Sequence, residues 1–240
     1  MIEVVSETGS TNADLAARLR GGERVQEGDW LVADRQTAGR GRQGRQWLDG
    51  HGNFMGSTVV RLRGGEPQPA SLALVAGIAV HAAVSSRLPV DRTAILKWPN
   101  DVIVGHAKLA GILLERVEDA VIVGIGVNLS SAPPLPDRAA AALTDSGGHL
   151  TRDQFARDLA SGFELEVQRW RDYGLAPIIA RWLAVAHAPG TALRVHEPGG
   201  VTVEGSFAGL DEAGGLQLRL ADGTTRAIHA GDVLLAENPN

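Results

Sequence analysis

The sequence predicts an α+β protein, with a mixed, largely antiparallel sheet flanked by helices over residues 1–188 and a small β-barrel over 189–240. Three observations carry this. Between Ala94 and Glu115, short apolar runs alternate with tight turns at Pro99-Asn100-Asp101 and Gly105-His106, so those strands pair antiparallel. Ser71 to Leu88 is alanine-rich and nearly all apolar, as a core helix is, and Thr151 to Trp170 has amphipathic helical periodicity. After His187-Ala188-Pro189-Gly190 the pattern becomes four or five short strand candidates, separated by Glu197-Pro198-Gly199-Gly200, Asp211 to Gly215 and Ala221-Asp222-Gly223.

Taken in order, Thr11 with Asp14 has the form of a capping box, and Leu15, Ala16 and Leu19 continue it as a short helix ended by Gly21-Gly22. No strand is assigned before it. Trp30 to Ala33 reads as a buried strand and Phe54 to Leu62 as a second. Pro67 to Ala70 is a loop before the alanine-rich core helix. Ala94 to Trp98, Val102 to Val104, Lys108 to Glu115 and Val121 to Leu129 are strands. The last is interrupted by Gly124 and Gly126, where another backbone or a ligand comes close. Ser130 to Pro136 is a proline-rich loop. Gln154 closes a capping box on Thr151, Gly174 stops the long helix, and Pro177 to Val185 is a further short one.

Composition narrows the class. The chain has 240 residues, no cysteine and a net charge of −5. That excludes disulfides, thiolate nucleophiles and thiolate zinc sites. The first twenty residues lack the apolar core of a secretory signal, and the most apolar helix, Leu72 to Val84, is too short to span a bilayer. A cytoplasmic location is the expectation.

Against this acidic background, Asp34 to Trp47 reads DRQTAGRGRQGRQW and carries net charge +3, so the rest of the chain sums to −8. Gly39, Gly41 and Gly44 let backbone amides approach a ligand, while Arg40, Arg42 and Arg45 bring fixed, fork-shaped charge. A local site for a small anion fits better than a nucleic-acid track. The spacing also satisfies the Gly-x-Gly-x-x-Gly dinucleotide pattern, but no apolar helix follows and no acidic residue stands near twenty positions on. Phosphate-loop, nucleophile-elbow and His-Glu-x-x-His motifs are absent, and the seven histidines show no ligand spacing.

Two further constellations stand out. The only two lysines among 23 basic residues are Lys97, in Lys97-Trp98-Pro99-Asn100-Asp101, and Lys108, three residues before Gly111. Either they are retained as compact charges between a carboxylate and a phosphate, or they are exposed strand residues beside a core Trp98. Ser10-Thr11-Asn12 either caps a helix or presents polar groups to a ligand, and the two roles are compatible.

Together these segments, with Gln36, Trp47, Gly111-Ile112-Leu113 and Gly124-Ile125-Gly126-Val127-Asn128, resemble the biotin–protein ligases in order and spacing. The resemblance implies a catalytic domain of the biotin/lipoate ligase type, like that of class II aminoacyl-tRNA synthetases, and a C-terminal SH3-like barrel. It implies ATP and biotin as substrates, Mg²⁺, and transfer of biotin to one lysine of a biotin carboxyl carrier protein of acetyl-CoA carboxylase or a related enzyme. By the same resemblance Arg42 and Lys108 are catalytic. Ser10, Thr11, Asn12, Gln36, Gly39, Arg40, Gly41, Arg42, Lys108 and Gly111 bind biotin. Arg42, Arg45, Trp47, Lys97, Asn100 and Asn128 serve ATP and the adenylate. Asp101 either orients a lysine or approaches Mg²⁺. With Ser-Thr-Asn at residue 10, there is no room for the winged-helix DNA-binding domain that some members carry. The resemblance leaves room for a homodimer and implies no membrane partner. A lipoate or octanoate ligase or transferase on the same fold, and an RNA-binding use of the arginine/glycine loop, are the alternatives.

Overall fold

In the computed structural model the described residues are 1–135 and 139–235. Pro136, the last residue of the predicted proline-rich loop, and the final five residues of the predicted barrel lie outside them. The main body is a seven-stranded mixed sheet made from β1 (Ile2–Thr8), β2 (Trp30–Gln36), β3 (Phe54–Arg61), β4 (Ala94–Lys97), β5 (Asp101–Val104), β6 (Ala107–Val117) and β7 (Ala120–Val127). Its spatial order is β1-β2-β3-β7-β6-β5-β4. All neighbours pair antiparallel except β1 and β2, which run parallel. The unforeseen strand is β1. It is a sheet edge, mostly half-buried or exposed, so its sequence IEVVSET lacks a buried apolar run.

The two faces of the sheet are unlike. Helices α2 (Leu72–Ser85) and α3 (Arg152–Tyr173) pack on one face, joined by α4 (Leu175–Leu183), and enclose the large core. Helix α3 begins at the predicted capping box, with both Thr151–Gln154 bonds present, and stops at Gly174 with φ 74°. Its Trp170 is fully buried, and the indole N–H donates to Ser71 Oγ at 2.8 Å. Helix α1 (Thr11–Arg20) covers the opposite face only in part, over Leu31, Val59, Ala120 and Ile122. Beyond the N-terminal end of α1 the sheet is uncovered, and the cavity described below lies there.

Strand alternation explains why. On β7, Val121, Val123, Ile125 and Val127 enter the large core, whereas the other face changes from Ala120 and Ile122 under α1 to Gly124 and Gly126 beyond it. These glycines admit side chains rather than a second backbone. A Cβ at Gly124 would overlap the Asn12 amide, and one at Gly126 would overlap the Trp47 indole.

The C-terminal strands β8 (Ala192–His196), β9 (Thr202–Leu210), β10 (Leu216–Arg219), β11 (Thr225–Ile228) and β12 (Asp232–Leu235) form an antiparallel sheet of order β11-β10-β9-β8-β12. This SH3-like module is fastened to the main body. Leu193, Val195 and Phe207 join the large core, Trp182 and Phe207 lie 6.4 Å apart, and Trp98 Nε1 donates to Gly214 O at 3.0 Å.

At the junction His187 is buried against Phe207. Burial, aided by the charges of Lys97 and His106, pushes its imidazole down from 6.5 to about 4. A folded value below the unfolded one means that the unfolded chain binds the proton first. Stability is therefore lost as pH falls from 6.5 to 4, by about 3 kcal/mol in all. In urea unfolding across that window, His187→Gln is expected to lose less stability on acidification than the parent; parallel curves would contradict a neutral buried imidazole.

Candidate active site

The uncovered sheet face floors a cavity of about 410 Å³. One end is a buried polar cluster. Strand β1 pairs Thr8 with Gln36 of β2, and the chain then turns through Gly9-Ser10 into α1, so Thr11 meets Gln36. Thr11 N–H donates to Gln36 Oε1 at 2.8 Å, and Thr11 Oγ1 lies 2.7 Å from Ser57 Oγ of β3. The predicted Thr11–Asp14 capping box does not form. Thr11 is already helical, its hydroxyl belongs to the buried cluster, and Asp14 accepts from Thr8 instead. Ser10, the actual N-cap, makes no capping bond with its side chain, which lines the cavity. Asn12 also lines it, but both ends of its amide are engaged, by Glu115 and Ser57.

The other end is cationic. Lys108 reaches it through a β-bulge. Along the β5–β6 ladder Val102 opposes Ala110 and Ile103 opposes Lys108, so Leu109 is the extra residue. Leu109 and Ala110 both enter the large core, which turns Lys108 to the face shared by Gly111 and Leu113. Its Nζ sits 2.6 Å from Asp101 Oδ1 and 5.8 Å from the Trp47 ring centroid. Asp101 is buried and also has Lys97 Nζ at 3.7 Å. Lys97 itself is outside this cavity. It lines an adjoining one of about 400 Å³ with Arg45, Asn100, Asp101, His196 and Asp232.

The arginine/glycine segment forms the wall above. Arg40 bridges Gln46, Gly41 N–H donates to Arg45 O at 2.7 Å, and a 3₁₀ turn over Arg42–Gly44 has Gln43 at φ 56°. It is a small hydrogen-bonded hairpin, not a structureless turn. Gly39 is buried beneath it, because a Cβ there would overlap the Trp47 carbonyl. Arg42 donates to Asn100 Oδ1 at 3.1 Å and Gly231 O at 3.3 Å, and Asp232 lies 3.8 Å away. Burial pulls the Arg42 pKa down, while Asp232 and Asp101 oppose that pull. Arg45 also pairs with Asp232, so one carboxylate of the C-terminal module holds two loop arginines. Asn100 is committed as well, through Nδ2 to Ile112 O at 2.7 Å.

Two polar atoms of the lining are buried with no hydrogen-bond partner among the described residues: Trp47 Nε1, a donor, and Asn128 Oδ1, an acceptor. Unspent polar atoms in a closed site are where a polar ligand gains most.

The structure thus gathers Ser10, Thr11, Asn12, Gln36, Arg40, Gly41, Arg42, Arg45, Trp47, Asn100, Asp101, Lys108, Gly111 and Asn128 around one cavity and places Lys97 and Gly39 beside it. Sequence reasoning missed Ser57, Glu115 and Asp232. Ser57 is hidden in a strand, Glu115 ends a run read as plain strand, and Asp232 comes from the module thought separate.

Residues 5–129 match the biotin/lipoate A/B protein ligase family, and residues 192–235 match the biotin protein ligase C terminal domain. The chain is 38% identical to the biotin--[acetyl-CoA-carboxylase] ligase of Mycobacterium tuberculosis, over 97% of this chain and 88% of that protein. It is likewise 38% identical to the ligase of that name from Paracoccus denitrificans, over 90% and 93%. The structure of the biotin protein ligase from Aquifex aeolicus in complex with biotin and ATP superposes with a TM-score of 0.84 at 27% identity, covering 99% of both chains. With one family spanning the cavity-bearing sheet and the other the module that braces its loop, the chain belongs to the biotin protein ligases of the biotin/lipoate A/B protein ligase family.

Proposed function

We propose that this chain activates biotin with ATP and transfers the biotinyl group to a lysine of a biotin carboxyl carrier protein, in the cytoplasm. The observation that carries the reading is the polarity of the cavity on the sheet, with buried amide and hydroxyl groups at one end and guanidinium and ammonium groups at the other. A ureido head at Ser10, Thr11 and Gln36 finds donors and acceptors already oriented. A carboxylate at the opposite end meets Lys108 and Arg42.

In the first step an oxygen of the biotin carboxylate attacks the α-phosphorus and the bond to the β-phosphate oxygen breaks, giving biotinyl-5′-AMP and pyrophosphate. Two anions must approach, and the fixed charges of Lys108 and Arg42 offset their repulsion. Arg45 and Lys97, on the adjoining cavity, face the polyphosphate. Trp47 covers the ligand, Asn128 Oδ1 accepts from the adenine amino group, and Asn100 holds Arg42. In the second step the neutral amine of the acceptor lysine attacks the acyl carbon and AMP leaves. The lid formed by the arginine hairpin and Trp47 keeps water from the anhydride between the steps.

Mg²⁺ enters with ATP, as part of the substrate. Asp101 fits the role of orienting Lys108 and Lys97 better than that of a metal ligand, because its two oxygens face the two ammonium groups. The main body, 1–188, then supplies both substrate sites, while 189–240 anchors the arginine hairpin through Asp232.

The polar end also argues against lipoate or octanoate. Thr11 and Ser57 satisfy one another and Gln36 Oε1, but an alkyl or dithiolane tail there would give the outward Gln36 Nε2 and the remaining Thr11 Oγ1 lone pairs nothing to bond. Biotin-dependent exchange of pyrophosphate into ATP tests the reading. Exchange with biotin and none with lipoate or octanoate supports it, and the reverse preference would sink it.

A further inference from the structure

Beneath the polar end of the cavity runs a chain of hydrogen-bonding groups that ends on a carboxylate. Asn12 Nδ2 donates to Glu115 Oε2 at 2.6 Å, and Ser57 Oγ donates to Asn12 Oδ1 at 2.6 Å. Ser57 Oγ lies 2.7 Å from Thr11 Oγ1, which lies 3.1 Å from Gln36 Oε1. Asn12, Ser57 and Thr11 are at most 3% exposed. Glu115, on β6, is not part of the cavity lining.

The direction of this chain follows from its end. A carboxylate accepts and does not donate. Glu115 therefore fixes Asn12 with its NH₂ toward β6 and its oxygen toward Ser57. Ser57 has one hydroxyl hydrogen, and Asn12 takes it. The 2.7 Å contact between the two hydroxyls is then a hydrogen bond only if Thr11 is the donor. With that hydrogen spent, Thr11 Oγ1 can offer the cavity only lone pairs. At the same time Thr11 N–H holds Gln36 Oε1, which leaves Gln36 Nε2 as the free, donating end of that amide.

We propose that Glu115 is a positioning residue that makes Thr11 Oγ1 an acceptor for a ligand N–H, beside Gln36 Nε2, which the Thr11 backbone N–H already fixes as a donor for a ligand carbonyl. A cyclic urea presents that pair of groups, so the inference rests on the biotin reading and names what enforces it. Without the carboxylate the opposite order is available. A glutamine at 115 can present its own NH₂ to a turned Asn12, Ser57 then donates to Thr11, and Thr11 donates to Gln36 Oε1 across the 3.1 Å contact. In that order Thr11 Oγ1 accepts from Ser57 and keeps one lone pair for the cavity in place of two.

The test is calorimetric titration of biotin, paired with steady-state kinetics, on the full chain and on Glu115→Gln, Glu115→Asp, Ser57→Ala and the Glu115→Gln/Ser57→Ala double variant. Glu115→Gln is nearly isosteric. It is expected to raise the biotin Kd roughly tenfold, with kcat at saturating biotin within about twofold of the parent. Glu115→Asp, still only an acceptor, is expected to recover most of the affinity. In the Ser57→Ala background the chain is already cut, so Glu115→Gln is expected to add almost nothing. Unchanged biotin affinity in Glu115→Gln, or effects of Glu115→Gln and Ser57→Ala that simply add, would overturn the role of Glu115 while leaving the biotin reading intact. A parent protein that takes up no biotin would overturn the biotin reading itself.

Discussion

Replacing Lys108 by alanine is expected to slow biotin-dependent ATP–pyrophosphate exchange by at least about a hundredfold, with the thermal midpoint within about 5 °C of the parent. The size of the effect follows from where the charge sits. Lys108 is mostly buried and held 2.6 Å from Asp101, so its ammonium is already in place when two anions arrive. Such a preorganised charge is worth far more at a developing transition state than a solvated one. The fold survives because the bulge that aims Lys108 depends on Leu109 and Ala110 entering the core, and Asp101 keeps Lys97 as a neighbour at 3.7 Å. Lys108→Arg is not expected to rescue, since a planar fork does not replace a point charge at this spacing. Exchange at the parental rate in Lys108→Ala would remove Lys108 from the chemistry.

Arg42→Gly is expected to separate making the adenylate from keeping it. Arg42 links the hairpin to Asn100 and to the Gly231 carbonyl of the C-terminal module, with Asp232 close by. Removing it cuts the contact that holds the lid's turn to the body, while Lys108 and the polar end of the cavity stay in place. Biotinyl-AMP should then form at a reduced but measurable rate and escape roughly a hundredfold faster. Scoring free biotinyl-AMP after rapid filtration, in the absence of any acceptor, checks this. Adenylate release no faster than in the parent would contradict the retaining role.

The fold was legible where periodicity and punctuation are strong. The Thr151–Gln154 box, the stop at Gly174 and the turn-rich run from Ala94 to Glu115 all appear as expected, because each is decided by local chemistry. β1 was not legible, since an edge strand needs no continuous apolar pattern. Nor was the fate of Thr11. Ser-Thr-Asn-Ala-Asp carries a capping signature, and tertiary demand from Gln36 and Ser57 overrides it. The candidate site was legible as motifs but not as geometry. Gly126 was recognisable as a place of close approach, yet only the fold says that the Trp47 indole fills it. The support given by Asp232 is invisible in sequence, because it stands 187 residues from Arg45 and nothing local marks it.

Activation of biotin by ATP in this site and delivery of the product to a protein lysine are tested together by incubating the chain with biotin, ATP, Mg²⁺ and a biotin carboxyl carrier domain and weighing the carrier by mass spectrometry. The expected result is a single added biotinyl group that appears only when both small substrates are present and is lost when the acceptor lysine is changed to arginine. A carrier of unchanged mass, while the same chain still performs biotin-dependent exchange, would contradict the transfer; an unchanged carrier with no exchange would contradict both activation and transfer.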